Sequence, residues 1–125
     1  MKKIVSAFLI ISLVHFSCSK ESTSTGNVKV VVHLVSNLNN YNLYFKNDGK
    51  VDLNDENGNI IATQFTNNYG SLLDFGAYNY GNYKVSVKGG VYLSANGSSV
   101  IDHIIDTNVS FKLDAPTKTI TFNLN

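Results

Sequence analysis

The chain has 125 residues, ten lysines and no arginine, nine acidic side chains, one cysteine and no tryptophan, with a formal charge of +1. Nucleic-acid and phosphate sites lean on arginine forks and net positive charge, so no nucleic-acid partner is expected. A single cysteine excludes an internal disulfide, and the fold must rest on hydrophobic burial alone.

Lys2 and Lys3 open the chain, and an apolar run from Ile4 to Phe16 follows, interrupted only by Ser6, Ser12 and His15. The run is shorter than the roughly 20 residues a membrane-spanning helix requires and has the shape of an export signal. Ser17 then places a small residue directly before Cys18. Phe16-Ser17-Cys18 and the Ser19-Lys20-Glu21-Ser22 stretch after it resemble the looser lipoprotein signals of Bacteroidota. That resemblance implies a signal peptide over 1–17, lipidation at Cys18 and attachment to a membrane of the cell envelope. Ser19 lacks the aspartate that retains some lipoproteins at the inner membrane, which favours the outer one. Loss of seventeen residues removes two lysines and leaves eight against nine acids, a charge of about −1.

Residues 18–27 are rich in Ser, Thr and Gly and read as a flexible tether behind the lipidated cysteine. From Val28 the apolar residues recur with a period of two. Val28, Val30, Val32 and Leu34 form one set; Tyr83, Val85 and Val87 a second; Val109, Phe111 and Leu113 a third; Ile120, Phe122 and Leu124 a fourth. Such alternation is the signature of half-buried strands. Turn signals separate the runs: Asn47-Asp48-Gly49, Glu56-Asn57-Gly58, Tyr69-Gly70, Tyr80-Gly81, Gly89-Gly90 and Asn96-Gly97. Ile101 to Ile105 suits either a helical turn or a buried strand, and no helical period is sustained elsewhere. The expectation is an all-β domain over 28–125, an antiparallel, Ig-like or prealbumin-like β-sandwich of about seven to nine strands. Its core is expected to draw on Val30, Val32, Val51, Leu53, Tyr83, Val85, Phe111 and Phe122.

Val51-Asp52-Leu53-Asn54-Asp55-Glu56-Asn57-Gly58, then Thr66-Asn67-Asn68-Tyr69-Gly70, then Phe75, Gly81, Tyr83, Val85 and Val87, resemble the pattern of carboxypeptidase regulatory-like and Cna B-type domains. The resemblance spans Lys50 to Lys88 and implies a prealbumin-like sandwich rather than an activity. Three known properties of such domains can be set against the residues. An isopeptide crosslink would join Lys29 to Asn123 with help from a buried acid, but Val87 stands where that acid belongs, and no crosslink is expected. The hydroxyisourate-hydrolysing branch uses histidines, an arginine and a Tyr-Arg-Gly-Ser tail, whereas this chain ends Thr121-Phe122-Asn123-Leu124-Asn125. Calcium, as in the B repeats of adhesins, would find oxygens on Asp52, Asn54, Asp55 and Glu56. The spacing before Gly58 does not match a calcium loop, and no metal is expected. His33 and His103 form no catalytic or metal pattern with their neighbours, and Asp102-His103-Ile104-Ile105-Asp106 offers three ligands without a fourth.

Tyr41, Tyr44, Tyr69, Tyr78, Tyr80 and Tyr92 lie beside Asn and Gly near the expected turns. Tyrosine in that company makes a low-entropy recognition surface, with rings for stacking and hydroxyls for hydrogen bonds. Tyr69, Tyr78 and Tyr80 are the expected binding residues. The function expected is therefore a non-enzymatic envelope lipoprotein without a cofactor, a structural or partner-binding module. The alternative is a carbohydrate-binding module using the Tyr/Asn-rich loops.

Overall fold

The computed structural model describes residues 23–36, 40–95 and 98–125, and the expected signal segment, Cys18 and Asn96-Gly97 lie outside them. Eight strands follow in order: β1 (Thr25–Leu34), β2 (Asn42–Phe45), β3 (Gly49–Asn54), β4 (Ile60–Thr66), β5 (Leu72–Asn79), β6 (Gly81–Ala95), β7 (Ser98–Leu113) and β8 (Thr117–Leu124). They form the expected all-β sandwich. One sheet has three strands in the order β5-β1-β8. The other runs β2-β6-β3-β4, with β7 paired to β6 as well. All pairings are antiparallel except β1 with β8, which is parallel. A parallel pair needs a long connection, and here it is the whole length of chain between β1 and β8.

The alternating sets meet between the sheets. Val28, Val30 and Val32 of β1, Leu73 and Phe75 of β5, and Ile120, Phe122 and Leu124 of β8 are buried from one side. Leu43, Phe45, Val51, Leu53, Val85, Val87, Val91, Ile105 and Leu113 are buried from the other. Tyr83 and Phe111 are half-buried against this core instead of inside it. Val109 shares the inward parity of Leu113 yet is 40% exposed. The five-stranded sheet is wider than its partner, so this part of β7 overhangs the core.

Two local expectations change, and one left open is resolved. Thr25, Gly26 and Asn27 belong to β1, three residues before the expected boundary. Gly26 is buried with the Ala115 carbonyl 2.1 Å from where a Cβ would stand, and the Asn27 amide donates to the Pro116 carbonyl at 2.9 Å. Gly89-Gly90 is not a turn: β6 runs straight through it. The Phe45 ring lies so close to Gly49 and Gly89 that a Cβ on either would meet it at 2.6 and 2.9 Å. These glycines thus make room for a core aromatic from β2. Ile101 to Ile105 is strand, with Ile105 buried and Ile104 73% exposed.

β5 carries an irregularity that sequence alternation cannot register. Val28 pairs with Gly76 but Lys29 pairs with Asp74, leaving one extra residue in β5. Gly76 has φ +85°, and its amide donates to the Asp74 side chain at 2.9 Å. Such a bulge switches the parity of the strand. Leu73 and Phe75 point inward before it, and Tyr78 packs against the core after it.

Candidate binding clefts at the two ends of the sandwich

At the end where β1 finishes, the segment from Asn67 to Gly70 folds into a tight turn. The Gly70 amide donates to the Asn67 carbonyl at 3.1 Å, and the Tyr69 amide to the Asn67 side-chain oxygen at 3.0 Å. Gly70 has φ +84°, and a Cβ there would lie 2.2 Å from the Val32 carbonyl oxygen. The turn is therefore pressed onto β1, fixed further by Val32 donating to the Ser71 carbonyl at 3.0 Å and by a 2.8 Å contact between the Thr66 and Ser71 hydroxyls. The Phe45 amide donates to the Asn68 carbonyl at 3.0 Å, tying β2 to the same turn.

These contacts gather tyrosines that are far apart in sequence. Tyr44 and Tyr92 are directly paired on β2 and β6, on the face away from the core, with ring centroids 5.5 Å apart. Tyr69 approaches Tyr44 edge-on at 5.0 Å and 81°, the geometry that aromatic quadrupoles favour. Tyr44 and Tyr69 join Tyr41, Asn42, Leu34 and Val35 around an open cleft of about 470 Å³. Tyr69 itself is 66% exposed.

A second cleft, of about 490 Å³, lies at the end where β1 begins. The β3–β4 turn contributes Asp55 and Glu56, and β6 and β7 contribute Tyr83, Lys84, Phe111 and Lys112. Tyr83 and Phe111 are stacked with centroids 5.9 Å apart, and Tyr78 lies 6.1 Å from Tyr83. The Tyr83 hydroxyl donates to the Asn79 carbonyl at 2.6 Å. Burial pushes its pKa upward, with smaller contributions from Tyr78, Asp55 and Glu56. Tyr80 is at the same end, its amide donating to the Ser24 carbonyl at 2.8 Å.

The expected binding residues are thus divided. Tyr69 belongs to one cleft, and Tyr78 and Tyr80 lie at the other end of the molecule. Thr25 pairs with Asn79 and Leu34 lines the first cleft, so the length of β1, roughly 30 Å at the rise of a strand, separates them.

Three of the four side chains weighed as weak calcium candidates are engaged in other bonds. Asp52 accepts from the Thr63 hydroxyl at 2.6 Å and pairs with Lys50 at 3.0 Å. Asn54 turns inward and donates to the Gly58 carbonyl at 3.3 Å. Asp55 closes its own turn, accepting from the Asn57 and Asn59 amides at 2.9 Å each and from the Asn59 side chain at 3.1 Å. Those bonds, the Asn59 side chain first, hold its carboxyl below the ordinary value. Glu56 lines the second cleft. Among the described residues no three His, Cys, Asp or Glu side chains gather.

No family model, curated protein or solved structure matches this chain. Its own geometry is therefore the basis for any functional reading. Lys29 and Asn123 illustrate this. Lys29 pairs with Thr119 while Asn123 pairs with His33, an offset of four residues or about 13 Å along adjacent strands. That spacing keeps the lysine amine away from the amide.

Proposed function

We propose that the chain is a non-enzymatic envelope lipoprotein with a prealbumin-like sandwich. It is anchored through Cys18 at the outer membrane and binds a partner through the tyrosine cleft formed by Tyr41, Tyr44 and Tyr69. The observation that carries this reading is the position of that cleft. The chain enters the domain at Thr23 to Thr25, beside Asn79 and Tyr80, and the cleft opens at the far end of β1. A tether arriving at one end leaves the other directed away from the membrane. The backbone beneath Tyr44 and Tyr69 is fixed by strand pairing and by the Asn67–Gly70 turn, which lowers the ordering entropy that opposes binding.

Two experiments test its parts. Cys18→Ser leaves the domain folded and releases it from membranes; a variant that still floats with lipid after a salt wash overturns the anchor. A carbohydrate partner is the second reading, favoured by the perpendicular Tyr44 and Tyr69 rings beside Asn42, an arrangement suited to sugar stacking with hydrogen bonding. Glycan-array binding lost in Tyr44→Ala and Tyr69→Ala but kept in Tyr80→Ala supports it. Binding by all three variants removes the cleft from the account.

A further inference from the structure

The strand β7 has a long open edge. It pairs with β6 along its length, and no described strand pairs with its other side. Open edges are templates for further strands, and proteins blunt them with proline, bulges, inward charges or short length. β7 is sixteen residues long, contains no proline and has no bulge between Ile101 and Leu113. Of the other edges, β2 has four residues, β5 carries the Gly76 bulge, β4 is tied to β5 by Gln64 donating to the Asp74 carbonyl at 2.7 Å, and β8, also unbulged, is half as long as β7 at eight residues. Val109, on the inward parity, also overhangs the narrower sheet with 40% of its surface exposed.

We infer that this edge pairs with β7 of a second copy, antiparallel about a two-fold axis at Val109, joining two five-stranded sheets. The sequence of the strand complements itself in that register. Asp106 faces Lys112 of the other copy, Asn108 faces Ser110, Thr107 faces Phe111, and Val109 meets itself. Both charges are on the outward parity, so the pair lies on one face of the continuous sheet. The row becomes Lys88, Asp106, then Lys112 of the second copy, extending the 3.6 Å Lys88–Asp106 pair already present.

Neighbouring registers are poorer. A one-residue change in the sum of paired positions would set inward residues against outward ones. Moving the axis by one residue in one direction puts Asp106 against Asp114, and in the other puts Lys112 against Ile104. Opposite charges facing across strands stabilise a pair, and like charges oppose it. The Val109 side chains cover one another, and each sheet loses its open edge. An isologous contact of this kind closes at two copies.

The test is sedimentation of the full chain in a density-matched non-ionic detergent over a wide concentration series. The wild-type chain is expected to reach twice the protomer mass. Asp106→Lys or Lys112→Asp alone sets like charges together at two symmetric places and should raise the dimer dissociation constant about tenfold. The double variant Asp106→Lys/Lys112→Asp restores opposite charges and should return to within about threefold of wild type. Both positions are exposed, and circular dichroism checks that each variant folds; Lys112→Asp carries the test if Asp106→Lys does not. A protomer at every concentration overturns the inference. So does a dimer indifferent to the folded single reversals, or a double variant no better than they are.

Discussion

Gly70 is the position where backbone conformation and packing act together on the tyrosine cleft. Gly58 has nearly the same φ, +85° against +84°, but nothing lies within 4 Å of a Cβ built there. Gly58→Ala should therefore show only the conformational penalty of a side chain in the left-handed region, about 1–2 kcal/mol. Gly70→Ala bears the same penalty and also drives a Cβ into the Val32 carbonyl at 2.2 Å. The turn must move, and the Val32 to Ser71 hydrogen bond is the first contact at risk, a net loss of about 1 kcal/mol. Together these give a destabilisation of about 2–3 kcal/mol for Gly70→Ala. The lower entropy of an unfolded alanine chain is common to both variants and cancels between them. Denaturant unfolding followed by circular dichroism measures the difference directly. If Gly70→Ala falls within about 0.5 kcal/mol of Gly58→Ala, the close approach to β1 is not what fixes the turn.

Further outcomes follow from individual contacts. Phe122→Ala should destabilise the domain by about 3–5 kcal/mol, the usual loss for a buried aromatic, and a shift below about 1 kcal/mol would place the ring outside the core. Gly89→Ala should be destabilised by the Phe45 ring, by about 1–3 kcal/mol, and the smaller side chain of Phe45→Leu should relieve part of that loss in the double variant. Because hydrogen bonds lower the Asp55 pKa, its turn is stabilised above the ordinary value of 3.8 and loosens as pH falls through the lower folded value. The Asn57 and Asn59 amide resonances should shift together with a midpoint below 3.8, and a midpoint above it would refute the bonding described. The intact mass should show no loss of ammonia, since Lys29 and Asn123 are offset along β1 and β8; a mass about 17 Da low that Lys29→Ala abolishes would contradict that placement, lysine attack on an amide being the reaction that expels ammonia.

The strands were legible because burial repeats locally. Val28, Val30 and Val32, or Val85 and Val87, declare an inward face within a few residues. What local pattern could not convey depended on distant partners. Gly89-Gly90 resembles a turn until Phe45 is brought over it from β2. Val109 matches its buried neighbours in parity, and its exposure follows from the unequal widths of the two sheets. The tyrosines show the same limit at the candidate site. Tyr69, Tyr78 and Tyr80 are close in sequence, but β5 runs the length of the sandwich between the first and the others. Tyr44, Tyr69 and Tyr92 are distant in sequence and meet through strand pairing and the Gly70 turn. Composition identified a residue type suited to recognition, and the topology determined which of those residues lie together.

The most direct measurement places a photo-crosslinking side chain at Tyr69 or at Tyr80 of the full chain and irradiates intact cell envelopes. A discrete adduct from position 69 that Tyr44→Ala weakens is expected, and no such adduct from position 80. An adduct from position 80 alone, or one from position 69 that is unchanged by Tyr44→Ala, would contradict the assignment of binding to the tyrosine cleft.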